Sequence, residues 1–258
     1  MDNFSEEDTN VLRIRLGRIS GVLEEIQPII KEFMDSKNGA ESGGRENLMT
    51  FAILERIYYN AMGSLPLARE LVYNHNIAVP LSQIFRAIIY EIIIGYWLLD
   101  SDFYKKAAML NGEFIKKNSA RLKKQSHDEN DMQRVFSGWV NIAPENFDLI
   151  RHPNGGGELQ VKSGIAQAYF SSICDSLINR NGDISSLSLS YAILSQQAHL
   201  SEFSREIIYN RYEGNIKLFD STCHSAINSS LFLAKKIDSS SRTADALMQL
   251  LEKYYPKG

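Results

Sequence analysis

The range 79–99 constrains the fold of this chain more than any other segment, because most of its 21 residues are apolar. In its last 13 residues only Glu91 and Gly95 are not apolar. A helix that is apolar nearly all round has to be surrounded by other helices or by lipid. Arg86 and Glu91 both fall inside it, and a charge at the centre of a bilayer costs about 2.5–3.5 kcal/mol. We therefore predict a buried core helix, opened by Pro80 in its first turn.

Helical patterns also fill most of the remaining sequence. Apolar residues recur every three to four positions from Val11 to Phe33, which is typical of a helix with one buried face, and Pro28 is expected to kink it. Further helical segments are expected at 46–73 with an interruption at 63–66, and at 102–125, 128–140, 162–179, 185–212, 214–237 and 241–255. We find no internal repeat and no convincing strand.

The sequence therefore predicts an all-α fold, a single multi-helix bundle of about eight helices. We place the whole chain, 1–258, in one helical domain. Small polar residues predict a flexible linker at 36–44, and the glycines and Pro153 predict a Gly-rich loop at 152–157.

Composition and compartment signals exclude several classes of protein. The formal net charge of −3 excludes a histone-like polycation, and 44% hydrophobic residues with 23% charged residues are ordinary for a globular protein. The first residues offer neither the basic start nor the apolar run of a signal peptide. Cys174 and Cys223 form no Cys-x-x-Cys pair, so we expect two buried free cysteines and a cytoplasmic protein.

Motifs for metals and cofactors are missing from the sequence. No His-Glu-x-x-His occurs, and no histidine has a glutamate three positions before it, so neither a zincin site nor a di-iron site is expected. The segment 156–163 imitates a phosphate-binding loop, but Val161 stands where a glycine should precede the lysine. We interpret this segment as a loop entering a helix, and we predict no cofactor and no metal.

Arg86 and Glu91 need an explanation because they lie in the most apolar helix. They are five residues apart and do not face each other, so each should find a partner elsewhere. His199, on another long helix, is a candidate partner for Glu91. Either these residues form a polar network that fixes helix register, or Arg86, Glu91 and His199 are a catalytic cluster. Loss of a buried, paired Glu91 should cost about 3–5 kcal/mol by stranding its partner.

The same residues carry a resemblance to a known group of proteins. An Arg-x4-Glu pattern at Arg86 and Glu91, followed by Leu-Ser-x3-His from Leu194 to His199, resembles a family of uncharacterised prokaryotic all-helical domains. The resemblance covers about 50–235. It implies a prokaryotic source and an all-helical fold, and it implies no particular activity.

The predicted helix 102–125 has a basic face. Seven basic residues against the single acid Glu113 give 105–124 a net charge of +6. On a helical wheel the basic residues occupy one arc, opposite an apolar face, as in a solvated surface helix or a phosphate-binding face. The residues that we expect to contact nucleic acid are Lys105, Lys116, Lys117, Arg121 and Lys124.

Two Arg-x5-His spacings resemble the motif of HEPN-type helical ribonucleases. One joins Arg121 to His127 at the end of the basic helix, and the other joins Arg69 to His75. In that family an arginine and a histidine four to six residues later act on an RNA phosphodiester. The resemblance implies a metal-independent ribonuclease activity, with Arg121 and His127 as its first candidates.

Two classes of function fit these features. The first is a non-catalytic helical interaction module of a prokaryotic complex, which contacts nucleic acid or an acidic protein partner through the basic helix 102–125. The second is a metal-independent HEPN-like ribonuclease. No membrane association is expected. The last helix carries an apolar stripe of Leu247, Leu250, Leu251 and Tyr254. That stripe either packs within its own bundle or forms a homodimer contact, and we favour the homodimer.

Overall fold

The computed structural model describes residues 6–36, 44–110, 145–151, 153, 157–178, 183–197, 212–238 and 242–256. Its helices are α1 (Glu6–Ser36), α2 (Gly44–Glu70), a 3₁₀ turn (His75–Ile77), α3 (Ala78–Asp100), α4 (described over 103–110), α5 (Phe170–Ile178), α6 (Asp183–Gln197), α7 (Tyr212–Ile237) and α8 (Arg242–Tyr254). The strands are β1 (Phe147–Arg151) and β2 (Gly157–Val161). The predicted all-α, multi-helix fold is confirmed.

The described residues group into two compact units. The first contains the described residues up to Gly95 and those from Ile178 onward, and the second contains those from Tyr96 to Leu177. The single domain over 1–258 stays a prediction. The predicted linker lies at 36–44, of which 37–43 fall outside the described residues.

Helix α1 is the central element of the first unit, where it packs against α2, α7 and α8. Its buried face follows the periodicity of the sequence. The buried residues on this face are Leu12, Leu16, Ile19, Leu23, Ile26, Ile30 and Phe33. Helix α1 continues through Pro28, so the proline does not end the helix, and the expected kink stays a prediction.

Helix α3 is the apolar segment that the sequence singles out. Within the described residues, His75–Asp100 is long and apolar enough to cross a membrane by length and composition, but more than half of its most apolar window is buried within the chain. The Phe85 ring lies 4.9 Å from that of Phe219 on α7. At Gly95 a Cβ atom would come within 3.2 Å of Ile53, so the glycine allows a close approach to α2. These contacts make the first part of α3 a core helix of its unit.

Three helix boundaries differ from the sequence predictions. Helix α2 runs without a break through the expected interruption at 63–66, and the Ser64 hydroxyl donates to the Ala61 carbonyl inside it. The helix expected at 162–179 begins only at Phe170, because a turn and an irregular segment, 162–169, follow strand β2. The helix expected at 185–212 is described as Asp183–Gln197, and 198–211 lie outside the described residues.

The hairpin in the second unit corrects the prediction that the chain has no strand. Strands β1 and β2 pair antiparallel, with Leu149 opposite Leu159. Residues 157–161, which imitate part of a phosphate-binding loop, are thus a strand rather than a loop entering a helix. Five-residue strands give too short an alternation to stand out from a helical background. The visible signal was the Gly-rich sequence predicted as a loop at 152–157, of which residues 152 and 154–156 lie outside the described residues.

Helix α8 docks within its own unit, which bears on the dimer prediction. Leu247 and Leu250 are buried where α8 packs against α1 and α7. Lys253 Nζ lies 2.6 Å from Glu25 Oε1, and the Tyr254 hydroxyl donates to the same oxygen at 2.7 Å. A side chain at Gly21 would overlap the Tyr254 ring. Much of the apolar stripe is therefore occupied within the chain, and the homodimer stays a prediction without that support.

Candidate functional site

The structure gives Glu91 a partner that sequence reasoning missed. Arg56 Nη1 on α2 lies 2.6 Å from Glu91 Oε1, and the Glu91 side chain is 12% exposed. Arg86 is half-buried, and within the described residues no acidic side chain pairs with it. His199 lies outside the described residues. Glu91 is therefore buried and paired as predicted, and the observed pair joins α3 to α2.

The environment of Arg56 changes the expected energetics of this pair. The Arg56 side chain is 64% exposed, so water can solvate its guanidinium when Glu91 is removed. The expectation of about 3–5 kcal/mol assumed a buried partner, and that assumption is wrong. Beside the pair, burial raises the pKa of Tyr90, and the negative charge of Glu91 adds to that effect.

We predict that removing Glu91 and removing Arg56 lower the free energy of unfolding by different amounts. Glu91→Ala should lower the free energy of unfolding by about 1 kcal/mol, because Arg56 remains hydrated. Arg56→Ala should cost about 2–3 kcal/mol, because it leaves a nearly buried carboxylate without its partner. Urea unfolding of both variants measures the difference. Equal costs, or a larger cost for Glu91→Ala, would contradict this assignment.

Of the predicted basic helix 102–125, the structure describes residues 102–110. Lys105 is exposed, as a phosphate contact requires. Lys106 is occupied, because its Nζ donates to the Trp97 carbonyl at 2.7 Å and lies 3.3 Å from Asp100 Oδ2. The predicted contacts Lys116, Lys117, Arg121 and Lys124, together with His127, lie outside the described residues.

A groove of about 700 Å³ in the first unit is the strongest candidate site in the described part of the chain. It lies between the first half of α1 and the segment that follows α2. The groove is lined by Thr9, Leu12, Arg13, Leu16, Gly17, Ser20, Arg69, Val72, Tyr73 and His75. Its volume falls within the usual range of ligand sites, about 300–1,000 Å³.

Three of the lining residues carry or can carry positive charge. Arg13 belongs to α1, Arg69 to the last turn of α2 and His75 to the 3₁₀ turn. The side chain of Asn74 accepts a hydrogen bond from the Asn76 amide at 3.1 Å, which caps this turn and fixes the backbone of His75. The groove therefore presents two guanidinium groups and one imidazole, from two helices and a turn, to one space.

The rest of the groove is lined by apolar and aromatic side chains together with the polar residues Thr9 and Ser20. Tyr73 is 85% exposed, and Val72 beside it is also exposed. Proteins that bind single-stranded nucleic acids commonly combine an exposed aromatic ring, on which a base stacks, with nearby cationic groups that neutralise the phosphates.

Arg69 has one carboxylate neighbour at the groove. Its Nη2 lies 2.8 Å from Glu24 Oε2, and the two side chains are 56% and 58% exposed. Glu24 is on α1, four residues beyond Ser20, and it does not line the groove. No acidic group among the described residues pairs with Arg13.

Sequence reasoning found part of this site and missed the rest. The Arg-x5-His spacing identified Arg69 and His75, and the structure brings both to one groove. No sequence motif includes Arg13 or Tyr73, because no local pattern predicts that the start of α1 lies beside the end of α2.

The described residues offer little support for metal or thiol chemistry. They contain no cluster of three or more His, Cys, Asp or Glu that could hold a metal ion. Both cysteines are buried, as expected. Burial raises the pKa of the Cys223 thiol well above its usual range, and nearby Asp220 raises it further, which makes it a poor nucleophile.

The chain matches no protein-family model, no curated protein and no solved structure. The resemblances that rest on Arg86, Glu91 and His199, and on the Arg-x5-His spacings, therefore stay predictions. The site has to be interpreted from its own geometry.

Proposed function

We propose that this protein is a cytoplasmic, non-catalytic interaction module of a prokaryotic complex, and that it binds single-stranded RNA. The observation that supports the proposal most is the groove, which combines Arg13, Arg69 and His75 with the exposed ring of Tyr73. Phosphates of a bound strand contact the cations, and one base stacks on Tyr73. Binding of this kind depends on salt and has little sequence preference.

The basic helix 102–125 is a second phosphate-contacting surface in this proposal. Its charge of +6 over 105–124 and the exposure of Lys105 support this role. A double reversal, Lys117→Glu with Arg121→Glu, should weaken RNA binding while leaving the helical circular dichroism spectrum unchanged, since the sequence predicts that both lie on the polar arc of a helix.

Tyr73 gives the sharpest test of the groove. Tyr73→Ala should weaken binding of a fluorescent oligouridine by about tenfold, because stacking of one base on an aromatic ring contributes about 1–3 kcal/mol. Tyr59→Ala is the matched control, since Tyr59 is also an exposed tyrosine, on α2, and does not line the groove. Fluorescence anisotropy measures both. Equal losses in the two variants, or no loss at Tyr73, would rule out stacking in the groove.

A second candidate function is a metal-independent HEPN-like ribonuclease. It is favoured by one specific observation, that Arg69 and His75 of an Arg-x5-His spacing line the same groove. There the guanidinium can stabilise charge on the phosphoryl oxygens, and the imidazole can transfer a proton to or from the reacting oxygens.

Cleavage in the presence of a chelator separates the two functions. A ribonuclease of this type should degrade the oligouridine with EDTA present, and His75→Ala should abolish degradation while His127→Ala should not. If degradation is lost in His127→Ala but not in His75→Ala, the activity belongs to Arg121 and His127 instead. Binding without cleavage in the wild-type protein would leave the interaction module as the function.

A further inference from the structure

The ion pair between Arg69 and Glu24 lies beside the groove and bears on the affinity of the protein for RNA. We propose that Glu24 occupies Arg69 in the free protein, and that an RNA phosphate replaces Glu24 when a strand enters the groove. Glu24 is then an internal competitor, and Arg69 is the residue on which it acts. This inference rests on the proposed RNA-binding function and adds to it a residue outside the groove that lowers affinity.

The geometry of the pair makes such an exchange feasible. One nitrogen of Arg69 meets one oxygen of Glu24 at 2.8 Å, and both side chains are more than half exposed. Exposed ion pairs contribute little, because water screens them and both side chains lose rotamer freedom. The two non-bridging oxygens of an RNA phosphate can meet the guanidinium with two parallel hydrogen bonds, whereas Glu24 meets it through one oxygen. The incoming phosphate therefore makes a stronger contact than the one it displaces.

A second ion pair on α1 shows the contrast. Arg18 pairs with Asp220 at 3.4 Å, where Asp220 is buried and also accepts a hydrogen bond from Tyr255. That arginine is fixed by its surroundings. Arg69, in contrast, has its carboxylate neighbour outside the groove and its ligand space inside it.

The test is the affinity of a fluorescent oligouridine for Glu24→Gln, which keeps the size of the side chain and removes its charge. We expect binding about two- to fivefold tighter than that of the wild-type protein, from the usual strength of an exposed pair. The matched control is Asp35→Asn. Asp35 is also on α1, also forms an exposed pair, with Lys31, and loses the same charge. It should change affinity little.

A double variant shows whether the gain acts through Arg69. In Arg69→Gln the further change Glu24→Gln should have no effect, because the competitor has nothing to occupy. Three outcomes overturn the inference while leaving RNA binding intact: no gain in Glu24→Gln, an equal gain in Asp35→Asn, or a gain that persists without Arg69. Absence of RNA binding in the wild-type protein and in every variant overturns the proposed function as well.

Discussion

Phe85→Ala should lower the free energy of unfolding by about 3–5 kcal/mol, the usual range for deleting a buried phenylalanine. Phe85 lies on α3, is fully buried, and packs its ring 4.9 Å from that of Phe219 on α7. Phe85 and Ile88 also border a small cavity, so the packing around Phe85 contains a void before any substitution. A larger void there loses dispersion contacts from α1, α2 and α7 together.

The matched control for Phe85 is Phe232→Ala. Phe232 is on α7 and is 42% exposed, so its removal should cost much less, about 1 kcal/mol or below. Urea unfolding followed by circular dichroism measures both variants. Similar losses for the two phenylalanines would show that α3 is not the core helix of its unit.

Asp220→Ala should lower the free energy of unfolding by about 2–3 kcal/mol, because it removes a buried carboxylate from two partners, Tyr255 and Arg18. The Tyr255 hydroxyl donates to Asp220 Oδ1 and to the Asp220 carbonyl, each at 2.9 Å. Arg18 Nη1 lies 3.4 Å from Asp220 Oδ2, and its guanidinium lies 5.1 Å from the centre of the Tyr255 ring. The cluster therefore holds α1, α7 and the end of the chain after α8 together.

Asp35→Ala is the control for Asp220, since it removes an aspartate from an exposed pair on α1 and should cost less than about 1 kcal/mol. Tyr255→Phe should cost about 1 kcal/mol, because the ring remains under Arg18 and only the hydroxyl is lost. A cost for Asp220→Ala no larger than that for Asp35→Ala would contradict the cluster.

The same cluster predicts a loss of stability in alkali. Burial raises the pKa of Tyr255, and the charges of Cys223 and Asp220 raise it further, so the folded chain keeps the phenolic proton. An unfolded chain loses that proton near pH 10, and the unfolded state then binds fewer protons than the folded state. The contribution is complete below pH 10 and declines as pH rises above it. Tyr255→Phe should flatten this decline between about pH 9.5 and 11.

Local patterns in the sequence predicted most of the fold, because helices leave a strong periodic signal. The buried face of α1 and the apolar character of α3 could both be predicted before the structure. The hairpin could not, since strands of five residues fit a helical pattern equally well. Helix ends were harder to predict. Pro66 suggested a break in α2, but the helix continues through it.

Contacts between distant residues could not be predicted, and the candidate site depends on them. Glu91 and Arg56 are 35 residues apart, and no periodicity relates them. The same holds for Arg13 and Arg69, which meet at one groove because α1 and α2 pack side by side. The spacing of Arg69 and His75 was visible because it is local, but its position beside Arg13 and Tyr73 was not.

The salt dependence of RNA binding tests the central claim most directly. The groove is proposed to neutralise phosphates, so a plot of log affinity against log salt for a fluorescent oligouridine should fall with a slope of about −2 or steeper, at about 0.7 per phosphate contact. Arg13→Gln should reduce the steepness by about 0.7. Lys31→Gln, which removes a cation from the same helix outside the groove, should leave the slope unchanged. Two results would contradict the account. One is the absence of binding at a low salt concentration of about 50 mM, and the other is an equal slope for the wild-type protein and Arg13→Gln.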